Sequence, residues 1–308
     1  MLCRICKREA CVALKSHNTA FCSDCFLQFF SRQVERGIEK EGLLTRDDKI
    51  LVALSGGKDS LSLMLELSRQ GYAVTGFHLD LGIPNSSEKA REAVQAVCEK
   101  EKLPLVVESL ATHDLAIPDV AAHIRRPICS ACGTIKRYFF NRKAVELGMT
   151  VLATGHNLDD EVARLLSNTL RWDKSYLASQ GPNLPAENGF VRKVKPLWRL
   201  TEFEIANYAF LQGIHNVYTT CPYSHGASFS VLKGLMQRLE EKMPGRKIDF
   251  YQGFLERGRP HFTANKETPP ITPCPACSCP SSAEGLCSVC RMKQKIQEEK
   301  ARCASATQ

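Results

Sequence analysis

The segment Leu51-Val-Ala-Leu-Ser-Gly-Gly-Lys-Asp-Ser60 decides the fold of this chain. It begins as an apolar run typical of a buried strand, turns through two adjacent glycines and continues with helical periodicity. Paired glycines let the backbone turn tightly and approach an anion closely, and the free amides at a helix N-terminus favour phosphate oxygens. The segment therefore predicts a nucleotide-binding loop between a strand and a helix.

The loop differs from a Walker A motif, because Asp59 stands where the Mg²⁺-binding hydroxyl would be. Ser-Gly-Gly-Lys-Asp-Ser resembles the PP-loop of the ATP pyrophosphatase superfamily, which cleaves ATP between the α and β phosphates and adenylates a substrate oxygen. A second segment, Gly155-His-Asn-Leu-Asp-Asp-Glu161, is also similar to that superfamily. Its residues Asp160 and Glu161 equally suit capping of a helix, so both interpretations stay open.

From Lys49 onward, apolar strand-like runs alternate with amphipathic stretches. This alternation predicts an α/β fold with a Rossmann-like parallel sheet. The predicted strands are residues 50–54, 74–79, 105–109, 151–154 and 191–196. The predicted helices are residues 60–69, 88–100, 132–147, a segment from near Asp159, and residues 201–213, 228–243 and 291–302. Cys98 lies beside the apolar face of its helix and is predicted to be a core residue.

The chain divides into four predicted parts. Residues 1–30 form a cysteine finger, too short to fold without a metal or a neighbouring domain, and residues 31–48 form a helical connector. Residues 49–268 form the catalytic domain, which the proline-rich stretch after residue 268 separates from a C-terminal finger and charged helix at 269–308.

The composition limits the class of protein. The chain has 308 residues, of which 44% are hydrophobic, ample for a buried core. No apolar run approaches the ~18 residues of a membrane helix and no secretion signal is visible, so we expect a cytoplasmic protein without a membrane partner. A formal net charge of +8 fits a polyanionic partner such as nucleic acid, although a solvated basic face explains it equally well.

Fifteen cysteines in a chain of this size indicate metal binding or catalysis rather than a disulfide scaffold. Two sets of paired Cys-x-x-Cys knuckles have the pattern of closed tetrahedral Zn²⁺ sites, which we predict to be structural. Cys11 and Cys279 lie inside the two loops and could replace a ligand, but the knuckle spacing favours the outer pairs. The predicted ligands are Cys3, Cys6, Cys22 and Cys25 in the first set and Cys274, Cys277, Cys287 and Cys290 in the second.

Cys129 and Cys132 form a further Cys-x-x-Cys pair that belongs to neither set. Such a pair at a helix start suits a redox dithiol, or two metal ligands that require a third. Cys221 is the other cysteine of the catalytic domain in a loop-like context. Three thiolates are poor for structural zinc but natural for a [4Fe-4S] cluster with one iron left open.

Four motifs in order extend the resemblance to essentially the whole chain. They are the N-terminal finger, Ser-Gly-Gly-Lys-Asp-Ser, the segment Pro-Ile-Cys-Ser-Ala-Cys-Gly with a basic helix and a late lone cysteine, and the C-terminal finger. Together they resemble the TtuA and cytosolic thiouridylase family of tRNA 2-thiolation enzymes. The resemblance implies an adenine-nucleotide α-hydrolase-like domain between two zinc fingers, and an oxygen-sensitive [4Fe-4S] cluster on Cys129, Cys132 and Cys221.

The resemblance also implies a mechanism. ATP binds the loop, Mg²⁺ joins its β and γ phosphates, and O2 of a tRNA uridine attacks the α phosphate; sulfide on the open iron then attacks C2 and expels AMP. Asp59 and Lys136 resemble the catalytic pair. Lys136 lies one helical turn after Cys132, but could instead be a solvated lysine. The expected ATP contacts are Ala53, Ser55, Gly56, Gly57, Lys58, Asp59, Ser60, Leu79 and Gly155.

The partners follow from the same resemblance. We expect a homodimer that binds tRNA and receives sulfur from a thiocarboxylated ubiquitin-like carrier, a persulfide or sulfide. Trp172 could stack on a base or belong to the core. The residues expected near the RNA are Arg125, Arg126, Arg137, Arg142, Lys143, Arg171, Trp172, Arg192, Lys193 and Lys195.

Two other functions remain open from the sequence. Another PP-loop enzyme, such as a tRNA lysidine synthetase or an amidotransferase-type synthetase, would pass an amine to the adenylated oxygen without needing three cysteines. A zinc-dependent RNA-binding protein without catalysis is the second, and the intact phosphate loop argues against it. Family members modify either the wobble uridine or a T-loop uridine, and the motifs do not choose between them.

Overall fold

The computed structural model describes residues 1–214, 221–223, 228–263 and 271–306. The N-terminal module consists of strand β1 (Val12–Leu14), which pairs antiparallel with β2 (Thr19–Phe21), and helix α1 (Ser23–Glu41). Gly42 ends α1 in the left-handed conformation with φ +56°, which glycine adopts without steric cost.

Six strands of the described chain form the central sheet, in the order β5-β4-β3-β6-β8-β7. All neighbours run parallel except β7 and β8, so the predicted Rossmann-like parallel sheet is confirmed with one antiparallel edge strand. The fifth predicted strand is shorter than expected, and β7 was not predicted. The strands are β3 (Lys49–Leu54), β4 (Ala73–Asp80), β5 (Leu105–Ser109), β6 (Val151–Thr154), β7 (Asn183–Leu184) and β8 (Arg192–Val194).

Helices connect and cover these strands. The predicted helices are present with shifted ends; α5 begins four residues earlier than expected, so that Cys129 lies inside it. The shorter helices α4, α7 and α10 were not predicted. The helices are α2 (Lys58–Arg69), α3 (Ser86–Lys100), α4 (Ile117–His123), α5 (Ile128–Glu146), α6 (Leu158–Arg171), α7 (Lys174–Ser179), α8 (Glu202–Leu211), α9 (Ser228–Lys242) and α10 (Arg246–Gly253).

The C-terminal module consists of a two-stranded ribbon and a helix. Strand β9 (Thr272–Pro273) pairs antiparallel with β10 (Pro280–Ser281), and α11 (Ser288–Ala306) follows. Its helix carries Ile296, which is fully buried in the same hydrophobic cluster as Ile135 of α5. The module therefore packs on the catalytic domain.

Both faces of the sheet are covered, as a parallel sheet requires. On one face, Val52 packs in a hydrophobic cluster with residues of α2 and α3, including Cys98, which is 3% exposed as predicted for a core residue. On the other face, Leu51 and Phe77 pack with Ile135 of α5. Buried apolar side chains alternate between the two faces because successive strand residues point in opposite directions.

The N-terminal module is joined to the catalytic domain through the core. Phe30 of α1 stacks on Tyr208 of α8 with ring centroids 3.8 Å apart, and Trp198 donates a hydrogen bond to the carbonyl of Gly37 at 3.1 Å. Residues 31–41 of the predicted connector 31–48 form the C-terminal half of α1, where Val34 and Ile38 are buried. Within the described residues, we find no helix with the length and apolar content needed to span a membrane.

The order of the strands indicates where a ligand binds. From β3 the chain moves outward through β4 and β5, then returns to β6 on the other side of β3. In sheets of this kind, ligands bind outside the carboxyl ends of the strands where the strand order reverses. The predicted phosphate loop follows β3 and the second predicted segment follows β6, so both lie at this position.

Candidate functional site

The predicted phosphate loop joins β3 to α2 and is held in shape by its own side chains. Gly56 has φ +81°, and a Cβ there would lie 2.7 Å from the Cα of Ala90, so the position requires glycine. The Ser60 hydroxyl accepts a hydrogen bond from the Ser55 amide at 3.1 Å and donates one to the Gly57 carbonyl at 3.0 Å. No side chain caps α2 at Gly57, so its leading amides stay available to an anion.

Three charged side chains surround the start of α2. The Lys58 ammonium lies 3.2 Å from a carboxylate oxygen of Asp59 and 3.2 Å from one of Glu202. Burial opposes the charge of Lys58, but these carboxylates outweigh it and raise the pKa of Lys58 above its usual value. Burial raises the pKa of Asp59, a shift that Lys58 only partly offsets. Asp59 Oδ1 is buried and accepts no hydrogen bond, but it lies 3.2 Å from the Lys58 ammonium, so the loop has a hard oxygen ligand paired with a lysine.

The second predicted segment packs directly on the loop. A Cβ on Gly155 would lie 2.8 Å from the backbone nitrogen of Ser60, so the two backbones approach each other at a distance that only glycine allows. Asn157 and Asp160 form a capping box at the start of α6. Asp160 therefore caps this helix, which was one of its two predicted roles. Glu161 accepts hydrogen bonds from Lys195 and Tyr251 and does not cap the helix in this way.

A cavity of about 380 Å³ opens at the carboxyl ends of β3 and β4. Its wall contains two of the predicted nucleotide residues, Ser55 and Leu79, together with the predicted cluster ligands. Ala53 is buried in β3, and Gly155 packs against the loop beside it. The predicted site residues on the cavity wall are Ser55, Leu79, Cys129, Cys132, Lys136 and Cys221.

The three predicted cluster ligands come from two distant parts of the chain. Cys129 Sγ donates to the carbonyl of Tyr223 at 3.4 Å, which fixes the start of α5 against the segment that carries Cys221. Burial raises the pKa of the Cys132 thiol, and the neighbouring sulfurs of Cys221 and Cys129 raise it further, against the opposing effect of Lys136. Three thiols therefore face one cavity with a cation beside them.

The sulfurs of these three cysteines are not gathered as closely as the ligands of the two tetrads. The groups of described residues whose ligand atoms all lie within 4.8 Å of one another are the two terminal tetrads, and this trio is not among them. A four-iron cube separates its cysteine ligands more widely than one tetrahedral ion does, and three thiolates leave one iron open. The donor set, three thiols on one cavity wall, therefore fits a [4Fe-4S] cluster.

Lys136 lies on the cavity side of α5, as its spacing from Cys132 predicts. Its ammonium has no ion-pair partner among the described carboxylates, and it partly opposes the rise that burial causes in the pKa of the neighbouring Cys132 thiol. The side chain is half-buried rather than fully solvated. A lysine in this position stabilises negative charge that develops inside the cavity.

The two terminal tetrads have the geometry of closed metal sites. Tetrahedral Zn²⁺ with Zn–S distances of about 2.3 Å places its sulfurs about 3.8 Å apart. The sulfurs of Cys6 and Cys22 are 3.5 Å apart, and those of Cys277 and Cys287 are 3.8 Å apart. All eight predicted ligands fall into these two groups, whereas Cys11 and Cys279 belong to neither. The donor sets therefore fit Zn²⁺.

Backbone amides prepare one thiol in each tetrad for metal binding. Burial raises the pKa of Cys3, but the amides of Cys6 and Cys22 lower it to about 6. In the second tetrad, the amides of Cys287 and Ala276 likewise outweigh burial and lower the pKa of Cys274 to about 6. The thiolate is the form that binds metal, so these amides favour the liganding state.

Within the described chain, the basic residues predicted to face RNA fall into two groups: those that a carboxylate neutralises and those without a carboxylate partner. Lys143 pairs with Glu108 at 2.8 Å, and Arg192 pairs with Asp48 at 2.7 Å, so carboxylates already neutralise both charges. Trp172 ends α6 with 69% of its surface exposed, so the alternative of a core tryptophan is wrong. Arg126, Arg137 and Lys193 have no carboxylate partner within the described chain.

Sequence reasoning missed two charged residues at the phosphate end of the site. Glu202 at the start of α8 pairs with Lys58, and Lys233 of α9 pairs with Asp160 at 2.7 Å. Burial opposes the charge of Lys233, but Asp160 raises its pKa above the usual value. No local motif could have identified them, because Glu202 lies 144 residues from Lys58 along the chain.

Comparisons with known proteins agree with this geometry. A family model described as a PP-loop domain matches residues 27–218, and one described as the N-terminal LIM domain of the 2-thiouridine synthetase TtuA matches residues 2–27. A tRNA-5-methyluridine(54) 2-sulfurtransferase of Pyrococcus horikoshii is 40% identical over 292 residues, covering 94% of this chain and 93% of that protein. The tRNA-5-methyluridine(54) 2-sulfurtransferase of Thermus thermophilus is 39% identical, covering 95% of this chain and 91% of that protein.

A solved structure extends the likeness to three dimensions. The U34-tRNA thiolase NcsA from Methanococcus maripaludis, with its [4Fe-4S] cluster, is 26% identical to this chain with a TM-score of 0.76. The likeness covers 87% of this chain and 91% of that one.

Proposed function

The chain belongs to the PP-loop family of tRNA 2-thiouridine sulfurtransferases, and on that premise we propose that it thiolates uridine 54 in the tRNA T-loop. Three relatives named for position 54 are 38% to 40% identical to it, whereas the thiolase named for position 34 is 26% identical. The greater identity supports the T-loop uridine, or its 5-methyl form, over the wobble uridine.

One observation carries the proposal. Ser55 and Leu79, on the nucleotide side, and Cys129, Cys132 and Cys221 line the same cavity. An enzyme that only adenylates a base and then accepts an amine has no need of three thiols at that position. Their joint placement supports sulfur transfer to an oxygen activated by ATP.

In the proposed first step, the chain binds ATP and directs its α phosphate toward the uridine. The amides at the start of α2 and the Lys58 ammonium neutralise the triphosphate, which requires Lys58 to exchange Glu202 for phosphate oxygens. The uridine O2 forms a bond to the α phosphorus as the bond to pyrophosphate breaks. Asp59, whose Oδ1 accepts no hydrogen bond, would hold the Mg²⁺ that offsets charge on the leaving pyrophosphate.

In the proposed second step, sulfur replaces the adenylated oxygen at C2 and AMP leaves. Cys129, Cys132 and Cys221 would hold a [4Fe-4S] cluster, whose open iron supplies a site for the incoming sulfur. Lys136 on the same wall stabilises the negative charge that collects at C2 and on the departing phosphate. The tetrads would hold two structural Zn²⁺ ions and join their modules to the catalytic domain.

The test is thiolation of defined tRNA. Protein purified and reconstituted with iron and sulfide without oxygen is incubated with ATP, Mg²⁺, a sulfide source and tRNA transcripts, and the nucleosides are analysed by mass spectrometry. We expect 2-thiouridine and AMP with wild-type tRNA and with a U34C transcript, and neither the thio-nucleoside nor uridine-dependent AMP with a U54C transcript.

Other outcomes separate the alternatives. Thiolation that disappears with U34C and persists with U54C would assign the wobble position instead. An amine product together with no iron–sulfur absorption would indicate a lysidine synthetase-like enzyme. Binding of tRNA without formation of AMP would leave a non-catalytic RNA-binding protein.

A further inference from the structure

Four basic side chains lie near one another on α5, α6, β8 and the segment before α5. We call Arg126, Arg137, Arg164 and Lys193 the cationic cleft. Arg126 and Arg137 both donate to the hydroxyl of Thr134, at 3.4 and 3.3 Å. Arg137 and Arg164 are both close enough to Lys193 to lower its pKa. Three separate elements and the segment before α5 therefore contribute one positive charge each.

None of these four cations has a carboxylate partner within the described chain. The nearest candidate is Glu161, and its oxygens are already occupied. Lys195 donates to both of them, at 2.8 and 2.9 Å, and Tyr251 donates to one at 2.6 Å. The charge of Glu161 is thus compensated by Lys195, and the cleft keeps its excess of positive charge.

The cleft is under electrostatic strain in the free protein. Burial lowers the pKa of Arg137, and the like charges of Arg126 and Arg164 lower it further. Burial together with Lys195 and Arg137 lowers the pKa of Lys193 to about 8. Like charges brought together without a counter-ion destabilise the free protein, and an incoming anion relieves that repulsion.

The cleft lies beside the reaction cavity and separate from the phosphate loop. Arg137 directly follows Lys136 on α5, so the two side chains leave the helix about 100° apart and reach different sides. The loop already supplies ATP with helix amides and Lys58. Arg164 is exposed, and Tyr176 next to Arg137 is 63% exposed. An open, basic surface with an aromatic ring suits an extended nucleic-acid strand better than a compact triphosphate.

We propose that the cationic cleft binds the sugar–phosphate backbone beside the target uridine, holding the RNA while the base enters the neighbouring cavity. This inference rests on the proposed function, since it takes tRNA to be the substrate. The four uncompensated charges match two or more backbone phosphates. Arg164 was not among the residues predicted from the sequence to face RNA.

The experiment measures tRNA affinity at several salt concentrations for Arg137→Gln, Arg164→Gln and Lys193→Gln. Each variant should weaken tRNA binding by about five- to tenfold and reduce the slope of log affinity against log salt by about 1, because one phosphate contact releases about one counter-ion. The matched control is Lys143→Gln, which removes the same charge from the same helix where Glu108 and Glu146 already neutralise it. Its slope should equal that of the wild type.

Three further measurements make the result decisive. ATP affinity and iron–sulfur absorption should stay unchanged in all variants, and Arg164→Lys should restore most of the tRNA affinity. An unchanged salt slope in the three glutamine variants, or a loss of ATP affinity in place of tRNA affinity, would overturn the cleft assignment while the proposed function stands. A wild-type protein that fails to bind tRNA at all would overturn both.

Discussion

The terminal tetrads and the trio of Cys129, Cys132 and Cys221 arrange the same side chain in two different ways. In each tetrad, two knuckles close in sequence bring four sulfurs within 4.8 Å of one another, which leaves no free coordination position. In the trio, one knuckle joins a cysteine about 90 residues further along, and the sulfurs line an open cavity. The number and spacing of thiols, rather than their presence, distinguish a site that stabilises structure from one that suits chemistry.

The largest expected effect comes from removing one thiol of the trio. Cys132→Ser should reduce thiolation more than about 100-fold, because the cluster loses a ligand, while two zinc ions per chain remain. Iron and zinc content measured by mass spectrometry and thiolation measured on tRNA nucleosides check this. Cys11→Ser, outside both tetrads, should change neither. Loss of zinc from Cys132→Ser would show that the two kinds of site are not independent.

The second largest effect is expected from replacing Lys136, which lines the same cavity as the trio. Lys136→Ala should reduce thiolation by about 10²- to 10³-fold, because charge developing in the cavity loses its cation. The absorption spectrum of the cluster should be unchanged, since Lys136 is not a ligand. Lys143→Ala, two turns further along α5, serves as the control. Activity retained in Lys136→Ala would assign that side chain to the solvated surface of the helix.

Removing a tetrad ligand should instead act on stability. Cys22→Ser should lower the free energy of unfolding by about 3 kcal/mol or more, because the metal site and the apolar cluster that contains Cys22 are lost together. Thermal unfolding measures the change. Below the new melting temperature, the variant should still form AMP on the phosphate loop, which lies in another module. An unaltered melting temperature would mean that the tetrad does not hold its module together.

The smallest expected effect is the dependence of tRNA binding on pH, which should follow the charge of Lys193 in β8. Lys193 faces Lys195, Arg137 and Arg164, with Glu161 as the nearby anion, and its pKa is lowered to about 8. Below pH 8 it is a cation, and as the pH rises through 8 the charge is lost, so tRNA affinity should fall a few-fold between about pH 7 and 9. Binding titrations across this range check it. Lys193→Arg should flatten the profile, since arginine stays charged; a persistent fall would place the titrating group elsewhere.

Local sequence was sufficient wherever the chemistry depends on near neighbours. The phosphate loop follows from a strand, two glycines and a helix start within ten residues, and both tetrads follow from knuckle spacing. The predicted strands and most of the helices are confirmed for the same reason. Helix ends were less accurate: α5 starts at Ile128, because Pro127 suits the position just before a helix and no apolar periodicity marks the first turn.

Residues that depend on distant partners could not be predicted in this way. Glu202 and Lys233 complete the charge balance of the loop from helices that follow the sheet. Lys193 and Lys195 are the same residue type two positions apart, yet among the described residues only Lys195 pairs with Glu161. The predicted RNA surface accordingly mixed neutralised cations with free ones.

The amino-acid sequence by itself determined the α/β class, the phosphate loop, the two tetrads and the presence of an unpaired Cys-x-x-Cys. These features are set by backbone conformation and ligand spacing over a few residues. Only the tertiary structure decided that Cys221 shares a cavity with Cys129 and Cys132, and which basic residues keep their charge. The reason is physical: thiol grouping and charge compensation depend on distances in space, and the order of the strands fixes those distances.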